Sequence, residues 1–216
     1  MAHVPRNTRS KRTPSTEDST RQRIVAEARR HFLAHGFRSV SMDDLAAELG
    51  MSKKTLYAHF PAKEALLEAA IADKFRSVDA AMERVTAARE VNFFSTLQEL
   101  ITCAQTEINE IQPPFIRDLH REGPHVFKMV EDRRRELILR HFRSLFQAGR
   151  RAGIIRKDIP TSVMIEILLG AIQAVVNPAK LAELRLQLKP AFSTVITVIL
   201  EGVITGKKKT DYARKP

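Results

Sequence analysis

Between Ser41 and Lys63 the chain reads SMDDLAAELGMSKKTLYAHFPAK, and no other stretch limits the fold as much. Ser41 is a favourable N-cap, and Asp44 places a carboxylate in the first turn of the helix it opens. Leu45, Ala46 and Leu49 form an apolar strip at helical spacing. Gly50 can take the left-handed conformation that ends a helix, and Ser52 can cap the next one. The turn Gly50-Met51-Ser52 has the length of a helix-turn-helix corner. In the second helix Leu56 and Phe60 point inward at i,i+4. Lys54, Thr55 and Ala58 point away, with Tyr57 and His59 on the flanks. Pro61 suits the first position of a following helix.

Lys53, Lys54 and Lys63 are expected in the first turns of two neighbouring helices. A cation there opposes the helix dipole, whereas the free N–H groups of a helix start attract anions. Three lysines so placed point to phosphates completing the site. Ordinary solvated charge remains the competing account of any one of them.

The segment from about Thr20 to Phe75 closely resembles the DNA-binding domain of the TetR (tetracycline-repressor-like, AcrR-type) regulators. The residues that carry the resemblance begin with Ile24, Ala28, Phe32 and Gly36-Phe37. Ser41-Met42, Leu45-Ala46 and Gly50 follow, then Ser52, Thr55-Leu56-Tyr57 and His59-Phe60, and last Lys63-Glu64 and Leu66. The resemblance covers about a quarter of the chain strongly. It implies an all-α protein in which a helix-turn-helix domain (19–78, motif about 42–61) precedes a larger helical ligand-binding and dimerisation domain (79–206). It also implies double-stranded DNA as partner, a homodimer on a palindromic operator and a small-molecule inducer; a single cysteine, which allows no intramolecular disulfide, separately suggests a cytoplasmic setting. On the helical wheel, Ser41, Lys53, Tyr57, His59 and Lys63 are expected at phosphates. Lys54, Thr55 and Ala58 are expected to face base edges.

Charge supports an anionic partner. The 216 residues carry a net +11, and the excess is uneven. Residues 1–65 hold 12 basic and 7 acidic side chains, residues 207–216 hold 5 and 1, and the long middle is nearly balanced at 19 and 17. That distribution fits a basic head on a neutral body better than a surface coated for membranes. Residues 1–18, rich in Ser, Thr, Pro and charge, read as a disordered arm. Arg6, Arg9, Lys11 and Arg12 either reach a minor groove or only solvate the tail. Residues 207–216 read as a loose basic tail. No apolar run follows the basic N-terminus and none reaches about 18 residues, so neither a signal peptide nor a membrane span is expected.

Beyond the head the pattern is helical throughout, with no alternating strands. Helices are expected over Glu64 to about Ala88, Asn92 to Ile111, Phe115 to Arg121 and His125 to Gly149, with breaks at Pro113-Pro114 and Gly123-Pro124. Arg133-Arg134-Arg135 reads as a solvated face. Val163 to Val176 and Phe192 to Ile204 are apolar nearly all round and must be covered on every side. Pairing them with a second copy gives a four-helix interface through Ile165, Leu168, Leu169, Ile172, Val176, Val195, Ile196, Ile199 and Leu200. The alternative is that they are core helices of a monomer. A ligand pocket lined by Phe94, Leu97, Phe115, Leu119, Phe127 and Phe142 competes with ordinary packing at each position.

Catalytic chemistry has little to rest on. Phosphate-binding glycine loops and nucleophile elbows are absent, and no cofactor or metal is expected. His120, Glu122 and His125 match no zinc spacing. Cys103, the only cysteine, is either a redox sensor or a small buried hydrophobe. Three readings stay open outside the repressor: an activator of the same type, a nonspecific nucleic-acid binder, and a ligand-binding or enzymatic helical protein with an incidental basic head.

Overall fold

In the computed structural model, residues 16–87, 92–121 and 124–204 are described. The chain runs α1 (Thr16–His35), α2 (Met42–Glu48), α3 (Lys53–His59), α4 (Lys63–Thr86), α5 (Phe93–Asn109), α6 (Pro113–Arg121), α7 (Pro124–Arg151), α8 (Thr161–Val175), α9 (Pro178–Leu184) and α10 (Leu188–Val203). The described residues form no β-strand; one isolated bridge joins Ile155 to Ile204. The protein is all-α, as expected. Among the described residues no helix is long and apolar enough to cross a membrane.

Local signals set most boundaries. Ser41 and Asp44 form a reciprocal capping box at α2, Ser52 caps α3, and Gly50 takes a positive φ of 63° between them. Asn92 caps α5 by accepting from Phe94 N and Ser95 N. Some expectations are corrected. Pro61 lies outside α4, which starts at Lys63 behind Ala62 with no side-chain cap. The break before α6 falls where expected, but Pro113 and Pro114 are themselves the first residues of α6, two ahead of Phe115, because a helix's first turn needs no N–H from them. Helix α10 begins four residues before Phe192, and α9 carries no apolar period that announces it. Residues 16–18 are helical, not part of a loose arm; Arg6, Arg9, Lys11, Arg12 and residues 207–216 lie outside the described residues.

Two buried clusters organise the packing. The first takes Ile24, Ala28, Phe32, Leu45, Leu56, Phe60 and Leu66 from α1–α4 and the adjoining loop, and adds Phe115 from α6 and Val126 from α7. The second is built by α5, α7, α8 and α10 around Leu97, Leu100, Phe146, Met164 and Ile165. Helix α4 serves both, giving Leu66, Leu67, Ala70 and Ile71 to the first and Val78 and Met82 to the second. Between these two sets Lys74 reaches α5, with Nζ 2.6 Å from both Glu107 Oε2 and Glu110 Oε2. One continuous helix is thus shared by the two clusters.

Most of the nine residues expected at a dimer interface are already covered within the single chain. Ile165, Leu168, Leu169, Ile172, Val195, Ile196 and Leu200 are buried, while Val176 and Ile199 are half-buried against the same core. Helices α5 and α7 cover them. The apolar side chains that α8 and α10 leave outside are Val163, Ile167 and Val198.

Candidate nucleic-acid interface and effector cavity

Helix α3 is seven residues long and too short to stand alone. It is fixed at three points. The Ser52 side chain accepts from Thr55 N at 3.0 Å, Leu56 is fully buried beneath, and Phe60 closes the far end at 2% exposure. Lys53, Lys54, Thr55, Tyr57 and Ala58 are exposed, and His59 and Lys63 are half-buried. Apart from Leu56, the side chains of α3 are thus open to solvent or half-buried.

Their local partners differ. The Lys53 ammonium lies 2.8 Å from Asp43, and this hydrogen bond raises its pKa. A phosphate would have to share or displace that carboxylate. The Ser41 hydroxyl donates to Asp44 at 2.6 Å while accepting from Asp44 N. The hydroxyl bond, helped by the Ser41 N–H that donates to the same carboxylate, holds Asp44 below the usual carboxylate range and occupies the Ser41 proton. Lys63 stacks over Phe37 with Nζ 4.3 Å from the ring centroid. Lys54 has no ion-pair partner among the described residues. Sequence spacing gave no hint of Arg21, whose guanidinium lies 4.5 Å above the Phe60 ring and sets a further cation beside the end of α3.

A cavity of about 230 Å³ opens between the head and the body. Phe115, Leu119, Phe127 and Phe142 line it as expected, whereas Leu97 and Phe94 do not. Leu97 is fully buried and Phe94 half-buried in the body core. Reading the sequence missed the walls given by α1 and α4, among them Phe32, Leu33, Phe75 and Met82. Each is an ordinary apolar helix position, and only the packing of α1 and α4 against α6 and α7 turns it toward a shared space.

The wall is apolar apart from a few paired charges. One of these corrects the solvated reading of the arginine run. Arg133 and Arg135 are exposed, but Arg134 is half-buried in the cavity wall and paired with Glu131. Burial holds its guanidinium below the ordinary value against the pull of Glu131. Its Nε is buried with no hydrogen-bond partner, an arrangement that ordinarily costs about 1–3 kcal/mol.

The cavity is wired to the head through α6. Gln112 N donates to Leu33 O at the end of α1, and Arg38 N donates to Asp118 Oδ2, each at 2.9 Å. Between these bonds the chain turns at Gly36, with φ at 87°. A Cβ there would come within 2.5 Å of Asp118 Oδ2 and 3.2 Å of the Pro114 carbonyl carbon, so only glycine lets α6 approach this closely.

Other groups singled out by sequence are unremarkable in place. His125 is exposed, with Nε2 3.2 Å from Glu68, and Glu122 lies outside the described residues. Cys103 is half-buried, and burial pushes its thiol up, which opposes thiolate chemistry.

A short basic helix displayed on a two-helix platform, with a glycine turn and serine caps, is the reading element of a helix-turn-helix transcriptional regulator. The family model for bacterial regulatory proteins of the tetR family matches residues 24–70. The HTH-type transcriptional regulator UidR of Escherichia coli is 25% identical over 194 residues, spanning 87% of this chain and 94% of that protein. YvaF, an HTH-type transcriptional regulator of Bacillus subtilis, is 50% identical over 50 residues, 23% of this chain and 26% of its own length. A TetR-family regulator from Agrobacterium tumefaciens shares the fold with a TM-score of 0.65 at 17% identity, over 88% of this chain and all of that one. Residues 24–70 therefore form a DNA-binding domain of the tetR type, and the chain as a whole is similar to HTH-type transcriptional regulators.

Proposed function

We propose that the protein is a homodimeric repressor that holds a palindromic operator and is released by a small apolar or amphipathic ligand. The observation that carries this reading is the position of the cavity. Its walls come from α1 and α4 of the head as well as from α5–α8 and α10 of the body. A ligand that changes this space acts on the helices that aim α3. The apolar wall favours an apolar body, and the unpartnered Arg134 Nε favours a hydrogen-bond acceptor at one end.

Dimerisation uses the outer faces of α8 and α10, where Val163, Ile167 and Val198 stay exposed. Two-fold pairing sets two α3 helices in successive major grooves, roughly 34–36 Å apart. Lys54, Thr55 and Ala58 face base edges, while Ser41, Lys53, Tyr57, His59 and Lys63 hold phosphates and register.

Selection of bound fragments from genomic DNA by the purified protein supplies the operator, and fluorescence polarisation then measures affinity. Cognate duplex is expected to bind about 10³-fold or more tighter than scrambled duplex. Lys54→Ala changes sequence preference, with a loss of about 1–3 kcal/mol on the cognate site. Lys63→Ala weakens all duplexes alike and lowers the salt slope by about one unit. Equal effects of both variants on cognate and scrambled duplex overturn this division of roles.

An apolar ligand that raises the melting temperature is expected to lower operator affinity in the same preparation. Moving occupancy from 99:1 to 1:99 takes about 5.5 kcal/mol of preference for the released state. Unchanged or tighter operator binding at saturating ligand refutes release.

A further inference from the structure

The side chains of the cavity wall are of two kinds. Five are charged: Arg29, Lys74, Glu107, Glu131 and Arg134. All the others are apolar, and no hydroxyl or amide side chain lines the space. Each charge already has its counter-charge. Arg29 Nη1 lies 2.9 Å from Asp73 Oδ2, Lys74 is held by Glu107 and Glu110, and Arg134 Nη2 donates to Glu131 one turn earlier on α7. One donor is left over. Among the described residues, Arg134 Nε is the only buried side-chain nitrogen or oxygen without a hydrogen-bond partner.

These groups restrict what the space can hold. A bound carboxylate or ammonium loses its water and finds only counter-charges that are already shared. A sugar carries a hydroxyl on nearly every carbon, and an apolar wall leaves most of them unpaired. A pure hydrocarbon fills the volume but leaves Nε as it is. An uncharged oxygen acceptor meets the Nε–H and adds no charge, so the pairing of Arg134 with Glu131 stays intact. Size follows from the volume. Since a cavity of about 150 Å³ accepts benzene, one of about 230 Å³ accommodates roughly nine or ten non-hydrogen atoms.

We propose that the effector is an uncharged, mostly hydrocarbon molecule of that size whose carbonyl oxygen, as in a ketone, ester or lactone, accepts from Arg134 Nε. This inference rests on the reading of the cavity as an effector site and adds the chemical class that the wall selects. The apolar part lies among the leucine, isoleucine and phenylalanine side chains, and the single hydrogen bond fixes which end faces α7.

Titration calorimetry on the full chain at neutral pH, with a matched set of small probes, tests the class. The set is benzylacetone as the neutral ketone, hydrocinnamate as its carboxylate counterpart, phenylpropylammonium, and butylbenzene. Benzylacetone is expected to bind about tenfold or more tighter than either ion. Arg134→Lys keeps a cation beside Glu131 but has no donor at the Nε position. It is expected to weaken benzylacetone about tenfold while leaving butylbenzene within about twofold. The double variant Arg134→Met/Glu131→Leu removes the pair without stranding a charge and is expected to give the same result. Butylbenzene binding shows that the cavity persists in each variant. The proposal is overturned if either ion binds as tightly as the ketone, if either variant binds the ketone as the wild type does, or if the ketone does not bind at all. Operator affinity is measured separately with the same probes. Ketone binding through Arg134 without loss of operator affinity overturns release by ligand and leaves the chemical class standing. Release by hydrocinnamate alone does the reverse.

Discussion

Lys74→Met is expected to lower the unfolding free energy by about 3–5 kcal/mol, a large share of the total for a domain of this size. The methionine keeps the apolar stem and removes only the ammonium. In the native protein the Lys74 side chain is 9% exposed and its ammonium lies 2.6 Å from each of two carboxylates. Without it Glu107, 19% exposed, keeps a charge that is both desolvated and set against Glu110. The loss comes from the stranded carboxylate more than from the bridge itself. The double variant Lys74→Met/Glu107→Leu is therefore expected to recover to within about 1 kcal/mol of the wild type. Urea denaturation of the three proteins decides it. A double variant as unstable as the single one would mean that packing of the lysine stem, and not charge, holds α4 to α5.

Leu56→Ala is expected to cost the head about 2–5 kcal/mol and to abolish operator binding at moderate salt. Leu56 is fully buried and is the one buried residue within α3. A helix of seven residues has no independent stability, so its DNA-facing groups keep their geometry only while Leu56 stays packed in the head core. Lys54, Thr55 and Tyr57 remain in the chain, yet the face they form is lost. The body core contains none of these residues, so the loss is expected to be confined to the head: a new low-temperature step in thermal melting, with most helical signal retained. Operator affinity within about threefold of the wild type, about 0.7 kcal/mol, would show that α3 is held by its caps alone.

How far the sequence could be read varied along the chain. The stretch from Ser41 to Phe60 was legible because its signals are local: two serine caps, a capping box, a left-handed glycine and one i,i+4 apolar pair. Proline positions were less so. Pro61 and Pro113 obey the same chemistry, yet one precedes a helix by two residues and the other begins one. The late apolar helices misled about register. A helix that is apolar on all sides does not say which side the chain itself will cover: Ile165 and Leu168, expected between two copies, are covered within one, while Ile167 and Val198 stay exposed. Four of the six expected cavity residues, Phe115, Leu119, Phe127 and Phe142, do line it, whereas the walls from α1 and α4 carry nothing in the sequence that sets them apart from ordinary head core.

The sequence by itself determined the reading head, since caps, turns and helical period act over a few residues and need no partner to be recognised. It also determined the all-helical class and the basic bias of the head. Tertiary structure alone decided the Asp43–Lys53 pairing, the grip of Asp118 on the backbone at Arg38, the side of α8 and α10 left exposed, and the space enclosed between α1, α4, α6 and α7. Those features depend on which faces of distant helices meet. Burial rewards any apolar face about equally per unit area, so only the mutual packing of the helices selects among them.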